Sequence, residues 1–566
     1  MTKYRIQGGG EVVLTQSDFL AGGGEGNVYV HGNKAFKIYT NPKHMIPERK
    51  ISELSTIKLN NVIRPLDILL DPKKQPVGYS MRYLSNTHPL CRVFTQAFKD
   101  REGVDGPTVM RLVKCLKDGV IGIHDAGILV VDLNEMNFLI DKAFTEVFFI
   151  DVDSYQTPTF PATAIMESIK DPHAGGKWSK DTDWYSFGII SFQLFTGIHP
   201  YKGKHPDIKT FQERMLKNVS VFNKDVSVPK VVPKFGNVIP KTYLDWYKAV
   251  FEDGNRFPPP DVYQAPVFVV VAAPITSSDS ILITQLHNTA ERIIQYTSRD
   301  GRQLAILLNT NGNPNAWWYD GRIHHNLTTP YHHTGQAIIT EHGDPLYAWL
   351  ELNSDEVHVC NLVTGRPLSI TLSGQAIQEY QNRLYVHYND MIMELKTDIA
   401  GIVAPQVIAR VLPNATKLYR GVAIQNVLGT YYANAFPDSG KSIQFDLSEL
   451  KGYRVIDARC EGHVLMVVGE KQGKYTRWVM IWGNDASHTI HSTHDDIAYT
   501  GLNFVASDYI CAQIDEEENL LLFVPGTAKQ KVVKSSSLSG DMRLVLKDKD
   551  VCFTKDCELY RLQTVK

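Results

Sequence analysis

Residues 127–155 read GILVVDLNEMNFLIDKAFTEVFFIDVDSY, and the interpretation of the chain begins from this stretch. Asp132 and Asn137 stand at D-x-x-x-x-N spacing before one apolar run, and Asp151 follows a second apolar run. Two short apolar runs around a charged break predict a β-hairpin, whose open end would gather the three polar side chains. Two carboxylates and an amide suit a hard cation such as Mg²⁺ and a base that accepts a hydroxyl proton. Taken singly, each acid is better explained as a solvated turn residue, so the interpretation depends on the joint spacing.

A glycine-rich segment precedes this stretch. Residues 20–30 read LAGGGEGNVYV with apolar segments on both sides, which predicts a strand, a loop and a second strand. Glycines lack a Cβ, so backbone N–H groups in such a loop can approach a phosphate closely. Lys37 then interrupts an apolar run, and a lysine is rarely buried without an anionic partner. The alternative for Lys37 is an edge-strand position from which the side chain reaches water.

A helix is predicted at residues 47–59, because a proline opens it and apolar residues recur along one side. It supplies two candidate partners for Lys37, namely Glu48 and Glu53. We favour Glu53 because of its distance along the chain and because the apolar Ile57 follows one turn later. Either glutamate is alternatively a solvated side chain.

The order and spacing of these motifs resemble the eukaryotic-type protein kinase domain. The D-V-D-S sequence at residues 151–154 is similar to the metal loop of a divergent bacterial branch of that family, often encoded beside a PPM-type phosphatase and a von Willebrand A protein. The resemblance covers about the first 260 residues, a length that fits one domain. It implies a bilobal α+β fold, ATP as phosphate donor and Mg²⁺ as cofactor. It also implies a serine or threonine acceptor on a protein, with those two proteins as possible partners.

The resemblance assigns roles to individual residues. Asp132 would accept the proton of the acceptor hydroxyl, Lys37 would contact the phosphates, and Asn134 would stand in the catalytic loop where the family has a lysine. Asn137 and Asp151 would hold the metal ion. The nucleotide-binding residues would be Ala21, Gly22, Gly23, Gly24, Glu25, Gly26, Val28, Lys37, Glu53, Met81 and Tyr83.

Around the nucleotide, Val28 would cover the adenine, Met81 would lie behind it and Tyr83 would belong to the hinge between the lobes. Two departures from the family pattern affect activity. Val131 replaces the arginine of H-R-D, which implies activity without phosphorylation of the activation loop. Asn134 replaces a lysine that contacts the transferred phosphate, which implies slower transfer.

Two more landmarks follow the catalytic loop. Residues 181–201 resemble a core helix of the kinase C-lobe, in which Asp183 would cap the backbone of the catalytic loop. Residues 164–167 stand where the family has A-P-E, and Arg256 would pair with Glu167. The alternative for Arg256 is a simple surface charge.

From about residue 281 onward, short β-type runs alternate with turn residues and little helix is predicted. Hairpins recurring over that length favour a β-propeller of roughly six or seven blades, at about 40–50 residues each. A pair of β-sandwiches is the alternative. The pairs His324-His325 and His332-His333 match no ligand spacing for a metal and are expected to be loop residues.

The composition changes between the two halves, where proline-rich and serine-rich stretches occur. We therefore predict a kinase-like domain at residues 1–264, with an N-lobe at about 1–84 and a C-lobe at about 85–264. A linker is predicted at 265–279, and the propeller-like domain at 280–566.

Composition also limits the class of protein. The 566 residues carry a formal net charge of -2, so neither nucleic acid nor an anionic membrane is indicated as a partner. The 7 cysteines form no C-x-x-C pair, so neither a zinc site nor a disulfide framework is predicted, and a reducing cytoplasm fits. The N-terminus shows no apolar signal region. The longest apolar run, at 267–273, is too short for a membrane span and is predicted to be a buried strand.

The sequence thus predicts a cytoplasmic, ATP- and Mg²⁺-dependent protein serine/threonine kinase whose C-terminal propeller recruits a substrate or a regulator. The main alternative is a pseudokinase that acts as a scaffold through nucleotide binding and the propeller. A third possibility is transfer to a non-protein substrate, or transfer of another group from the nucleotide. The intact lysine, catalytic aspartate and metal ligands argue for an active enzyme.

Overall fold

The computed structural model of this protein covers most of the chain. The described residues are 2–23, 25–162, 165–261, 277, 280–309, 312–330, 335–352, 354–398, 403–507, 509–527 and 529–565. Several positions named above lie outside them, namely Gly24, Ala164, the apolar run 267–273, most of the predicted linker 265–279 and the pair His332-His333.

The N-terminal part of the chain forms an antiparallel sheet. Its strands are β1 (Thr2–Ile6), β2 (Glu11–Leu14), β3 (Phe19–Gly22), β4 (Gly26–His31), β5 (Lys34–Tyr39), β6 (Ile68–Leu70) and β7 (Pro76–Arg82). Within the described residues their spatial order is β2-β1-β6-β7-β5-β4-β3. Val28 on β4 and Tyr79 on β7 both pair with Lys37 on β5, so these three side chains share one face of the sheet.

A short helix, α1 (Glu48–Leu54), follows β5. It ends earlier than the predicted boundary at residue 59. The Ser55 hydroxyl donates to the carbonyl of Ser52 at 2.7 Å, and the Thr56 hydroxyl donates to the carbonyl of Glu53 at 2.8 Å. Such local side-chain bonds compete with the backbone pattern that would continue a helix.

The next part of the chain is mainly helical. Its helices are α2 (Gln96–Arg101), α3 (Gly106–Asp125), α4 (Lys180–Thr196), α5 (Phe211–Leu216), α6 (Phe235–Val238) and α7 (Lys241–Phe251). Helix α4 is buried along almost its whole length, as its apolar composition predicts, and it ends at Gly197 with φ +77°. Across the described parts of the chain, no helix combines the length and apolarity needed to cross a lipid bilayer.

The predicted hairpin after the catalytic loop is present. It belongs to a small sheet of β8 (Thr87–Pro89), β9 (Phe138–Asp141) and β10 (Val147–Phe149). Strands β9 and β10 are antiparallel, with Phe138 opposite Phe149. The backbone N–H of Ile150 then donates to the carbonyl of Asn137 at 3.0 Å, so the residues before β9 and after β10 are neighbours.

The C-terminal part consists of antiparallel strands joined by short turns. Its strands are β11 (Ile281–Asn288), β12 (Arg292–Arg299), β13 (Arg302–Leu308), β14 (Pro314–Tyr319), β15 (His324–Thr328), β16 (Gln336–Ile339), β17 (Pro345–Leu350), β18 (Val357–Asn361), β19 (Pro367–Leu368), β20 (Ala376–Tyr380), β21 (Arg383–Tyr388), β22 (Met391–Thr397), β23 (Val403–Arg410), β24 (Thr416–Tyr419), β25 (Val422–Val427), β26 (Thr430–Ala435), β27 (Ile443–Asp446), β28 (Arg454–Glu461), β29 (Val464–Lys471), β30 (Lys474–Trp482), β31 (His488–His494), β32 (Phe504–Ala506), β33 (Cys511–Ile514), β34 (Leu520–Phe523), β35 (Gln530–Val533), β36 (Arg543–Lys547), β37 (Asp550–Lys555) and β38 (Glu558–Thr564).

Among the residues described, these strands form seven sheets of four strands each. Six sheets use four consecutive strands, and the seventh combines β36, β37 and β38 with β11 from the start of this part. The first strand of each sheet contacts the first strand of the next, and β36 contacts β12. The small sheets therefore follow one another in a closed ring, and β11 joins the two ends of the chain segment.

The helical part and the C-terminal sheets share a hydrophobic core. Buried side chains of α4 and of the segment before α2, such as Phe94, belong to the same cluster as Met466 and Val468 on β29 and Phe504 on β32. Burial of apolar surface is the main favourable term in association. The two parts of the chain are accordingly packed against each other.

Candidate functional site

Lys37 lies at the centre of a cluster of acidic side chains. Its Nζ is 2.7 Å from Asp153, 2.8 Å from Asp151 and 3.4 Å from Glu25 of the glycine-rich loop. The lysine side chain is 8 % exposed. Burial by itself would lower the pKa of Lys37, but the carboxylates of Asp151 and Asp153 outweigh burial and raise it. The ammonium group is therefore held in its charged form.

Asp151 occupies a strained turn at the end of β10. Its φ is +59°, in the left-handed region that few non-glycine residues adopt. The hydroxyl of Ser154 donates to the Asp151 carbonyl at 2.9 Å, and the Ser154 N–H donates to the same carbonyl at 3.2 Å. The turn leaves the Asp151 side chain 45 % exposed, so its carboxylate is open to a ligand. Strain of this kind is typical of functional turns.

The catalytic-loop residues Asp132, Asn134 and Asn137 contact one another. One carboxylate oxygen of Asp132 accepts from the side-chain amides of Asn134 at 2.9 Å and Asn137 at 3.3 Å. The other accepts from the backbone N–H of Met166 at 2.8 Å. Burial raises the pKa of Asp132, and these hydrogen bonds partly offset that effect. The Asp132 carboxylate thus accepts three hydrogen bonds from within the protein, two on one oxygen and one on the other.

Asp183 at the start of α4 supports the catalytic loop, as the sequence predicts. Its carboxylate accepts from the backbone N–H groups of Val130 at 2.9 Å and Val131 at 2.8 Å, and it contacts His124 at 2.8 Å. Val131 is β-branched and has φ +62°, a conformation that needs such support. The sequence suggests only packing for His124, whereas the structure places it in this buried polar network.

Replacing Asp183 by asparagine should lower the free energy of unfolding by about 2–4 kcal/mol, because the amide group places a donor opposite a buried backbone N–H. Denaturant unfolding of the full chain measures this change. Asp181→Asn, in the exposed first turn of the same helix, is the matched control and should change little. Equal stability of the two variants would contradict the supporting role of Asp183.

The glycine-rich loop closes the site from the side of the N-terminal sheet. Gly23 donates its N–H to the carbonyl of Gly26 at 2.9 Å. A Cβ on Gly26 would lie 2.4 Å from the carbonyl oxygen of Ile38, so this position requires glycine. Ala21 and Gly22 are exposed on β3, which leaves the loop edge open to a ligand.

Two of the residues predicted for the adenine side, Val28 and Met81, lie on the sheet face that carries Lys37. Met81 pairs with Ala35 across β5 and β7 and is half-buried on the same face as Lys37. Tyr83 follows β7 and is half-buried, and burial raises the pKa of its hydroxyl. Val28 and Met81 thus present apolar side chains on the same face as Lys37.

The side chains of Asn137 and Asp151 carry oxygen atoms, which are the ligands that Mg²⁺ prefers. Mg²⁺ is usually bound through one or two protein oxygens together with substrate phosphates. Among the described residues, no group of three or more His, Cys, Asp and Glu side chains is arranged to hold a metal on its own. A metal held by Asn137 and Asp151 would therefore depend on a phosphate-bearing ligand for its remaining contacts.

Comparison with known proteins finds similarity in structure but not in sequence. No family model matches the sequence, and no curated protein matches it. The kinase PK-1 of Cydia pomonella granulovirus is similar in structure, with 13 % sequence identity and a TM-score of 0.32. The match covers 44 % of this chain and 87 % of the viral chain.

The expected pairing of Glu53 with Lys37 is wrong. Glu53 contacts Arg49 at 3.4 Å and accepts hydrogen bonds from Thr159. Glu48 contacts Gln7 at 3.3 Å instead. The helical repeat explains the outcome. The buried face of α1 carries residues 50, 51 and 54, so both glutamates lie outside that face and do not contact Lys37.

The expected pairing of Arg256 with Glu167 is also wrong. Arg256 forms a two-point ion pair with Asp171, at 2.7 and 2.9 Å. Glu167 is exposed and contacts Lys170 at 2.9 Å. The acid that fixes Arg256 thus lies four residues further along the chain, and the planar guanidinium matches its carboxylate.

The catalytic loop also contacts the C-terminal sheets. The hydroxyl of Tyr475, at the start of β30, donates to the buried carboxylate of Glu135, and Arg454 donates to the Met136 carbonyl at 3.4 Å. A Cβ on Gly473 would lie 2.5 Å from the hydroxyl oxygen of Ser168, so the turn between β29 and β30 touches the segment before α4. The catalytic loop is therefore contacted on one side by Asp183 of the helical part and on the other by the C-terminal sheets.

Burial raises the pKa of Glu135 from its ordinary 4.5 to about 7. Between these pH values the folded chain keeps a proton on Glu135 that the unfolded chain releases, so the contribution of Glu135 to the free energy of unfolding should fall as the pH rises from 4.5 to 7. The expected loss is up to about 3 kcal/mol, at 1.4 kcal/mol per pH unit. Denaturant unfolding at pH 5 and pH 7.5 measures it.

The free energy of unfolding of the wild type minus that of Glu135→Gln should fall by this amount, because histidines whose pKa is lowered by burial, such as His88 and His387, contribute equally to both proteins. Glu213→Gln, on the exposed face of α5 beside Lys217, should leave the dependence as in the wild type. An unchanged pH dependence in Glu135→Gln would show that another group is responsible.

Sequence reasoning missed four residues that contact the site, namely Tyr39, Lys50, Asp153 and Tyr475. Two of them have a signal in the sequence. Tyr39 is two positions after Lys37 on one strand, so it shares a face with it. Asp153 is the second acid of D-x-D. Lys50 and Tyr475 have no such signal in the sequence, because only packing brings them to the site.

Proposed function

We propose that this protein is an ATP-dependent protein serine/threonine kinase that uses Mg²⁺. The observation that carries the proposal is the contact of Lys37 with Asp151, at 2.8 Å, beside the glycine-rich loop. The lysine comes from the N-terminal sheet and the aspartate from the turn after β10, so the contact joins the sheet to the segment that follows the hairpin. An ammonium, a glycine loop and oxygen ligands for a metal are the features that phosphoryl transfer requires.

In this proposal each residue of the site has its own role. Lys37 would bind the phosphates and neutralise their charge. Asn137 and Asp151 would hold Mg²⁺, which when bound neutralises charge on the phosphates. Asp132 would orient the acceptor hydroxyl and take its proton. Asn134 would donate a hydrogen bond from its amide in place of a lysine.

A second candidate function, a nucleotide-binding scaffold without transfer, is favoured by one observation. The carboxylate of Asp132 is occupied by the Met166 N–H and by two asparagine amides. An acceptor hydroxyl would have to share a carboxylate oxygen of Asp132 with these donors. A scaffold would not need an acceptor hydroxyl to reach the Asp132 carboxylate.

The experiment that separates the two functions uses purified full-length protein with labelled ATP, Mg²⁺ and a mixture of protein acceptors. Label on serine or threonine in the wild type supports the kinase. Binding of ATP without transfer supports the scaffold. Label on a non-protein acceptor alone would replace the proposed substrate class.

We further infer that the seven C-terminal sheets are the blades of a seven-bladed β-propeller. The closed ring of first strands and the pairing of β11 with β38 support it. We also propose domain limits of 1–264 and 280–566 and a cytoplasmic location.

The propeller face that contacts the helical part is identifiable. The contacts come from the beginnings of β12, β28 and β36, and from turns between second and third strands, such as that of Gly473. In an antiparallel sheet these positions lie at one end. A recruited protein, such as the phosphatase or the von Willebrand A protein, would therefore bind the opposite face.

A further inference from the structure

The shortest contact of the Lys37 ammonium group is with Asp153, a residue outside the roles proposed above. Asp153 lies 2.7 Å from the ammonium group, and its side chain is 2 % exposed. The other two acids beside Lys37 are both more than 40 % exposed, which leaves them free to turn toward a metal or a ligand. Asp153 is therefore the fixed partner of the lysine.

The carboxylate of Asp153 is itself held in place. Tyr39, two residues after Lys37 on β5, donates its hydroxyl to the oxygen that Lys37 contacts. Lys50 of α1 donates to the Asp153 carbonyl at 2.7 Å, and Lys50 is 1 % exposed. Strand β5 and helix α1 thus both fix the short turn at Val152–Ser154. Burial would raise the pKa of Asp153, but Lys37 and the hydrogen bonds outweigh burial and lower it.

Helix α1 offers no carboxylate to the lysine. Glu48 and Glu53 face away, and the inward side chain is the cation Lys50. A like charge in that position cannot anchor Lys37, because two ammonium groups repel each other. The anchoring charge must then come from the turn after β10.

We propose that Asp153 is the positioning residue that aligns Lys37 on the phosphates of the nucleotide, in place of a glutamate from helix α1. The inference rests on the proposed function for the identity of the ligand. One consequence is that the charge that aligns Lys37 comes from the turn containing Asp151 and Asp153, whereas helix α1 acts on Lys37 only through the hydrogen bond from Lys50 to the Asp153 carbonyl. The D-x-D sequence would then combine metal binding at its first acid with lysine alignment at its second.

The test measures binding of ADP and of adenosine to the full chain by calorimetry, together with the rate of phosphate transfer. Asp153→Asn should weaken ADP binding about 10–100-fold, the value of a hydrogen bond between charged groups. Adenosine binding should stay within about twofold, because adenosine has no phosphates for Lys37 to contact. A merely structural role would weaken both ligands equally.

Glu53→Gln is the matched control, since it removes the carboxylate that helix α1 would have supplied. It should leave ADP binding unchanged. Loss of ADP binding in Glu53→Gln, or unchanged ADP binding in Asp153→Asn, would overturn the proposal, as would an equal loss of adenosine binding.

A milder variant covers the case in which Asp153→Asn does not fold. Tyr39→Phe removes the hydroxyl that holds Asp153 without touching Lys37, and it should weaken ADP binding about 3–10-fold with adenosine unchanged. An unaltered ADP affinity in Tyr39→Phe would then count against the proposal. If the wild type binds ADP but transfers no phosphate, the proposed kinase activity fails while the role of Asp153 is still decided by binding.

Discussion

Asp151→Asn should reduce phosphate transfer by at least about 10²–10³-fold while leaving the fold intact. The carboxylate is the only charged ligand proposed for the metal, and loss of one preorganised group that stabilises developing charge has an effect of this size. Asparagine tolerates the left-handed conformation of this position, where φ is +59°. The half-exposed side chain also means that stability should change by less than about 1 kcal/mol. Transfer rates with Mg²⁺, and thermal unfolding in parallel, measure the two effects.

A matched control is available in the C-terminal part. Asp300 has φ +51° in the exposed turn between β12 and β13, so Asp300→Asn makes the same substitution in the same backbone conformation away from the site. Its transfer rate should equal that of the wild type. Full activity in Asp151→Asn would remove the metal-ligand role and leave the scaffold as the better account.

Asp100→Asn should weaken the attachment of the helical part to the C-terminal sheets. The Asp100 side chain is 2 % exposed and pairs with Arg292 at the start of β12 and Arg543 at the start of β36. Removing one partner of a buried ion pair leaves the others unpaired and costs about 3–5 kcal/mol. Arg292 is 42 % exposed, so water recovers part of this cost and we expect about 2–3 kcal/mol.

Denaturant unfolding followed by limited proteolysis measures this loss. The variant should unfold at lower denaturant concentration, and the connection between the two parts should be cleaved earlier. Asp118→Asn, on the exposed side of α3 beside Lys114, is the control and should change stability by less than about 0.5 kcal/mol. Equal behaviour of the two variants would show that the shared apolar core alone holds the parts together.

Because the C-terminal sheets contact the catalytic loop, a propeller formed by them could act on the site as well as recruit a partner. The sequence suggests a separate recruiting module. Tyr475 and Arg454 instead contact Glu135 and Met136 of the catalytic loop directly. Any partner that shifts the C-terminal sheets would therefore also move the loop that carries Asp132. This arrangement offers a direct physical connection between partner binding and the candidate site.

The local features of the site follow from the sequence. The hairpin of β9 and β10, the glycine-rich turn, the long buried helix α4 and the cap formed by Asp183 all lie where the motifs predict them. Each depends on interactions over a few residues, or on an apolar period that a helix or strand must satisfy. The same holds for the recurring hairpins of the C-terminal part.

Tertiary structure alone decided which charged groups pair. Lys37 contacts Asp153, 116 residues away in sequence, and Tyr475 contacts Glu135, 340 residues away. Neither partner follows from spacing along the chain, because the residues of each pair are far apart in sequence and only packing brings them within hydrogen-bonding distance. The sequence by itself thus determined the secondary elements and the set of reactive side chains. The choice of partners required the fold, since ion pairs and hydrogen bonds act over about 3–4 Å between elements whose relative positions are set by the buried core.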